Sequence, residues 1–211
     1  MSFDVITIPA KTSQPPAGLI VALHGWGANG EDLASLAPFL SLPEYEFLFP
    51  DAPFPHPQVF GGKAWYDFQQ DKAGYPESRQ MLLEWLTSLE SRTGVPLSRT
   101  ILSGFSQGGA MTLDVGLQLP LAGLVSLSGY LHPISLENKG NSFPPVLIVH
   151  GRQDNVVPLT AAVKARDTLS DMGIKVKYQE FNMGHEVIPA ALSLMRSFVL
   201  EVMSSTNLKA M

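Results

Sequence analysis

Short apolar runs of β type alternate with stretches of helical period along nearly the whole chain, and no other feature limits its fold so strongly. The runs are Phe3–Ile8, Leu19–Leu23, Phe47–Phe49, Thr100–Ser103, Leu124–Leu127, Val146–His150 and Val176–Phe181. Several are apolar at every position rather than every second one, which suits strands covered on both faces in a parallel sheet. Helical patterns fall between them, near residues 31–40, 77–92, 107–119, 159–172 and 187–203. Pro120 stops the third, because its ring leaves no N–H for the helix ladder. Strand and helix in turn predict an α/β fold with a mostly parallel central sheet wrapped on both faces.

The chain has 211 residues, which suits a single domain over 1–211. A domain of this size buries on the order of 70% of its unfolded surface, so its core needs no disulfide or metal. The sequence has no cysteine, which removes a thiol nucleophile, a cysteine zinc site and a disulfide scaffold together. The formal charge is −5 and the basic residues are scattered, so a nucleic-acid partner is not expected. No signal peptide is expected from the opening residues, and no apolar run nears the roughly 18 to 20 residues of an integral membrane segment. A cytoplasmic location is the resulting expectation.

One segment interrupts the rhythm. Residues 50–76 carry five prolines, three glycines and several aromatics. So long a connection in a small domain is usually functional, and its aromatics predict a structured loop laid over a surface.

The chemistry concentrates at Gly104-Phe105-Ser106-Gln107-Gly108, a G-x-S-x-G pattern between a buried strand and a helix. In that context the serine sits on a tight bend and its hydroxyl projects at the carboxyl end of the sheet. The amide of Gln107 opens the helix and faces the same space, where partial positive charge stabilises an oxyanion. A serine needs a base, and the base needs a carboxylate to orient it. Among the five histidines, His185 follows the last strand and opens the last helix, the place where such a base is found. His24 and His150 end strands and are expected to hydrogen-bond backbone, while His56 and His132 read as loop or surface residues. Asp154 lies just past the strand ending at His150, between serine and histidine in chain order. Asp114 and Asp167 fall in helical patterns and read as solvated or cap-adjacent, and Asp51, Asp67 and Asp71 precede the serine. Ser106, Asp154 and His185 then share the carboxyl ends of the strands, where open α/β sheets bind ligands.

Taken together, "LHGWGANGEDL", "FLFPDAP", "GGKAWYDF", "GFSQGGAM", "LSGYL", "HGRQDNVVP" and "MGHEV" resemble the phospholipase/carboxylesterase family of the α/β-hydrolases, which includes the acyl-protein thioesterases. The matching pieces run in that family's order from residue 19 to 187. The resemblance implies a serine carboxylesterase with a Ser106–His185–Asp154 triad, no cofactor and no metal. It also implies Trp26 as the second oxyanion donor, and a small or lipid-like acyl ester, or an S-acylated protein, as substrate. Three departures bear on the acyl chain: Trp26 stands where the thioesterases often have Leu, the stretch from Trp65-Tyr66-Asp67-Phe68 to the next helix is shorter than in the eukaryotic thioesterases, and "LHPISLENKGNSFPP" differs from their cover loop.

Trp26, Phe60, Trp65, Tyr130 and Leu131 are candidates for an apolar acyl groove, and each is equally suited to a core. Two rival readings remain. Gly25-Trp26-Gly27-Ala28-Asn29-Gly30 fits the dinucleotide pattern G-x-G-x-x-G, with Asp51 as a ribose acid, but alone it is weak and leaves the later motifs unexplained. A non-catalytic acyl or small-ligand receptor on the same scaffold is the other, since a fold does not fix a function.

Overall fold

The seven apolar runs all become strands of one sheet in the computed structural model, which describes residues 3–133 and 143–209. In chain order the elements are β1 (Val5–Ile8), β2 (Leu19–Leu23), α1 (Gly30–Ala34), α2 (Ala37–Leu40) and β3 (Glu46–Pro50), then β4 (Phe54–Pro55) and β5 (Lys63–Ala64). There follow α3 (Tyr75–Thr93), β6 (Thr100–Phe105), α4 (Gln107–Gly116), β7 (Gly123–Leu127), β8 (Val146–Gly151), α5 (Leu159–Asp171), β9 (Val176–Phe181) and α6 (Pro189–Lys209). The sheet runs β1-β3-β2-β6-β7-β8-β9, parallel throughout except for β1, which pairs antiparallel with β3 at one edge.

Leu19, Val21 and Leu23 of β2 point to one face, where they meet α3, α4 and α5 through Leu82, Leu86, Met111, Leu113 and Leu169. Ile20 of β2 and Val125 of β7 point to the other, where α2 and α6 supply Leu40, Leu192, Met195, Phe198 and Val199. Both faces of the central strands are thus apolar, which explains why these runs do not alternate. Among the described residues no helix is long and apolar enough to cross a membrane.

The structure departs from the sequence pattern at three places that position the site. The stretch near 31–40 forms two helices rather than one, because Pro38, near the start of α2, has no N–H to carry a ladder on from Ala34. The helix expected over 107–119 ends at Gly116 and tightens into turns, with Gln118 N–H donating to Val115 O and Leu119 N–H to Gly116 O. That tightening leads into Pro120. The 50–76 segment folds back on itself as the β4–β5 hairpin, Phe54 opposite Ala64.

Candidate active site

Ser106 occupies the single residue between β6 and α4, with φ 55° and ψ −117°. A non-glycine residue holds such angles only where its surroundings impose them. The surroundings are backbone. A Cβ on Gly108 would lie 2.2 Å from Leu23 O, and one on Gly104 would lie 2.2 Å from Gly108 O. Only glycine lets the first turn of α4 sit this close to β2 and fold over the end of β6. Ser106 N–H donates to Leu127 O at 2.9 Å, fixing the bend to β7 as well.

Gln107 follows and is fully buried. As the first residue of α4 its N–H has no intrahelical acceptor, which leaves it free for a developing anion. Its side chain has a separate task that the sequence did not disclose. Oε1 accepts the Trp65 N–H at 3.0 Å and Nε2 donates to Tyr66 O at 2.8 Å. The side chain of Gln107 therefore staples the aromatic segment after β5 to the serine bend.

The loop after β2 lies against Ser106: a Cβ on Gly25 would stand 3.3 Å from the Cβ of Ser106. His24 is buried beneath it, donating from Nδ1 to Gly25 O at 2.8 Å and accepting Ala52 N–H at Nε2 at 2.9 Å. Burial lowers its pKa, consistent with a neutral ring that must accept at one nitrogen. Gly27 N–H donates to Lys63 O and Ala28 N–H to Gly25 O, whereas no acceptor among the described residues takes the Trp26 N–H. Asn29 caps α1 in a reciprocal capping box with Asp32. Asp51 accepts the Gly30 N–H at 2.7 Å, so it holds this loop in place.

Asp154 and His185 meet at the far side of the sheet, after β8 and β9. His185 Nδ1–H donates to Asp154 Oδ2 at 2.7 Å, and the carboxylate side chain is wholly buried. Asp154 Oδ1 accepts the N–H of Val156 at 2.9 Å and of Val157 at 2.8 Å. Burial by itself would raise the carboxyl pKa. The hydrogen bonds from His185, Val157 and Val156 outweigh it and hold the group below the usual carboxylate range. The His185 ring packs on Phe105, centroids 4.8 Å apart, which sets it beside the serine bend. Ser106 Oγ itself makes no hydrogen bond among the described residues.

The acyl-groove expectations fare unevenly. Trp65 is fully buried, packs on Phe3 and His24, and donates from Nε1 to His24 O at 2.9 Å. It belongs to the core and lines no groove, a correction. Phe60 is fully exposed at the turn between β4 and β5, so it forms no groove wall either. Leu131 is half-buried and packs on the core. Trp26 and Tyr130 do belong to one aromatic surface: Trp26 lies 4.5 Å from His56 and 5.1 Å from Phe68, and Phe68 lies 6.3 Å from Tyr130. The differing stretch 131–145 falls partly outside the described residues.

Two polar residues read as loop, surface or solvated groups have partners inside the fold. His132 is buried, with Nε2 at 3.0 Å from Tyr66 Oη, which also bonds Tyr130 Oη. Burial, with Lys72 nearby, pushes its pKa down to about 4. Tyr130 is pushed up to about 12 by burial. Asp114 pairs with Arg79 at 3.2 Å and accepts from Tyr75 Oη at 2.8 Å. Helical position alone does not reveal which helix covers it; here it is α3.

Comparison with known proteins gives the family of the chain. The family model described as Phospholipase/Carboxylesterase matches residues 6–203. The chain is 30% identical to acyl-protein thioesterase 1 of Saccharomyces cerevisiae over 223 residues, covering 93% of this chain and 97% of the yeast protein. It is 27% identical to lysophospholipase-like protein 1 of Mus musculus, covering 92% and 90% of the two chains. Among solved structures, esterase PE8 is 33% identical with a TM-score of 0.87, covering 96% of this chain and 100% of that one. Acyl-protein thioesterase 2 of Zea mays, at 24% identity and a TM-score of 0.80, shares the fold over 96% of this chain and 100% of its own.

Proposed function

Because the chain belongs to the phospholipase/carboxylesterase family of α/β-hydrolases, and so is a hydrolase of esters or thioesters, we propose that it works through an acyl-enzyme on Ser106. The observation that carries this reading is the 2.7 Å Asp154–His185 hydrogen bond beside the strained bend at Ser106. With Nδ1–H committed to Asp154, His185 keeps Nε2 to take the serine proton as Oγ attacks the acyl carbonyl. Asp154 stays ionised and stabilises the imidazolium that forms. The hydrogen bond between Ser106 and His185 forms when substrate closes the site, as such bonds often do.

The N–H groups of Trp26 and Gln107 receive the oxyanion. Neither has a protein acceptor among the described residues, and one such donor is worth about 3 kcal/mol. His185 then returns its proton to the leaving alcohol or thiol, and water repeats the steps in reverse.

The substrate we infer is a carboxylic ester with an aliphatic acyl chain, lying along the surface formed by Trp26, Phe68 and Tyr130. Lipid-like esters and S-acylated proteins present the same acyl carbonyl. Trp26 is the side chain most directly placed to limit the chain, since its own N–H binds the oxyanion.

The test is covalent. A fluorophosphonate should label Ser106, located by mass spectrometry, and hydrolysis of p-nitrophenyl esters should vanish in Ser106→Ala. Labelling elsewhere with full activity in the variant would overturn the assignment.

A further inference from the structure

We propose that His150 is a positioning residue for the catalytic acid: its imidazole holds the Asp154–Val157 turn so that Asp154 Oδ2 faces His185. This rests on the reading of Asp154 and His185 given above.

His150 is the penultimate residue of β8 and is fully buried. Its Nε2 lies 2.8 Å from Val157 O and 3.5 Å from Asp154 Oδ2. Both neighbours are acceptors only, so Nε2 carries the proton and donates mainly to the carbonyl. The turn it grips is the one that shapes the carboxylate. Val157 N–H donates to Asp154 Oδ1, and Val157 O is the carbonyl that His150 takes. One residue of the turn is therefore held from both sides, by the acid and by the imidazole.

The following residue is Pro158, which leads into α5. Without His150 the Val157 carbonyl would have no donor among the described residues, and Asp154 Oδ2 would lose a ring nitrogen that lies 3.5 Å away. A buried unpaired acceptor costs enough to move the backbone toward another partner. Moving the turn re-aims Oδ2, and with it the ring of His185.

The other ring nitrogen strengthens the case. No protein donor among the described residues reaches His150 Nδ1, so the ring is not there to satisfy both of its own polar atoms. An apolar residue of similar size would avoid that cost. What it would lose is the single donor at Nε2, which is the atom that meets the turn.

The roles of donor and bulk are separated by three substitutions. His150→Leu keeps bulk and removes the donor. His150→Gln restores an N–H at the same number of bonds from Cα as Nε2. His150→Asn carries its amide one bond short. We expect kcat on a p-nitrophenyl ester to fall on the order of 10²-fold in His150→Leu and His150→Asn, with KM within about twofold, because a small misplacement is enough. His150→Gln should recover most of the rate.

The low-field proton resonance of the Asp154–His185 hydrogen bond should persist in the wild type and His150→Gln and disappear in the other two. Equal rates in His150→Gln and His150→Asn, or an unchanged low-field proton in His150→Asn, would overturn the proposal, whether or not His150→Leu folds. Ser106→Ala run alongside separates the two levels. Activity surviving there refutes the nucleophile, while the proton resonance still reports on what His150 does to the Asp154–His185 pair.

Discussion

Gln107 and Trp65, forty-two residues apart in sequence, are joined by a buried hydrogen bond of 3.0 Å from the Trp65 N–H to Oε1 of the glutamine. The same side chain donates to Tyr66 O at 2.8 Å. An amide has two ends and both are used here, so the loss of one residue strands two backbone groups in the core. Gln107→Ala should destabilise the protein by about 2 kcal/mol or more. Differential scanning calorimetry should show Tm lower by roughly 5–10 °C, given the size of the chain. A Tm within about 1 °C of the wild type would contradict the staple.

Ser106→Ala should lower kcat by on the order of 10⁴-fold or more. Asp154→Asn should cost about 10⁴-fold, because an amide cannot hold the imidazole in its working tautomer. The losses should not add in the double variant, since the residues act as a unit. Steady-state kinetics on one ester decide this, with circular dichroism to confirm folding.

His132 gives a pH dependence of stability whose sign is fixed by its lowered pKa. In the folded chain its pKa is about 4, and in the unfolded chain it returns to the ordinary value of 6.5. Between those values the unfolded chain binds the proton and the folded chain does not. Stability is therefore full above about pH 6.5, declines as pH falls toward 4, and levels off below. The decline attributable to this residue is at most ~3 kcal/mol. His132→Gln should flatten that part of the curve, measured as urea midpoints at pH 7, 5.5 and 4.5. His24 contributes in the same direction and is present in both proteins, so the difference isolates His132.

Trp26→Leu should shift acyl-chain preference toward longer chains. The indole lies between His56 and Phe68, and a smaller side chain there widens the surface leading to the oxyanion donors. Since a methylene is worth about 1–3 kcal/mol in an apolar site, the ratio of kcat/KM for octanoyl over acetyl esters should rise roughly tenfold. An unchanged ratio would show that another residue limits the chain.

The frame was legible in the sequence because burial on both faces leaves an unbroken apolar run, as Leu19–Leu23 and Val146–His150 do. The glycines at 104 and 108 were legible because their close approach to backbone excludes every side chain. The misread residues share a different trait. Trp65 finds its acceptor at His24, and His132 finds its partner at Tyr66, 66 residues away. An aromatic with a distant polar partner looks the same in sequence as one lining a groove. The short hairpin and the break at Pro38 are local, but their context is tertiary. The stapling role of Gln107 was masked by its motif, which draws the eye to the backbone N–H alone.

The contact between Gly108 and the carbonyl of Leu23 divides the site into two mechanical parts. With no room for even a methyl group between them, the serine bend and the Trp26 loop share one rigid seat on β2 and β6. Asp154 and His185 ride instead on β8 and β9, on the other side of β7. In the proposed mechanism the attacking serine and both oxyanion donors therefore belong to one part, and the pair that moves the proton belongs to the other.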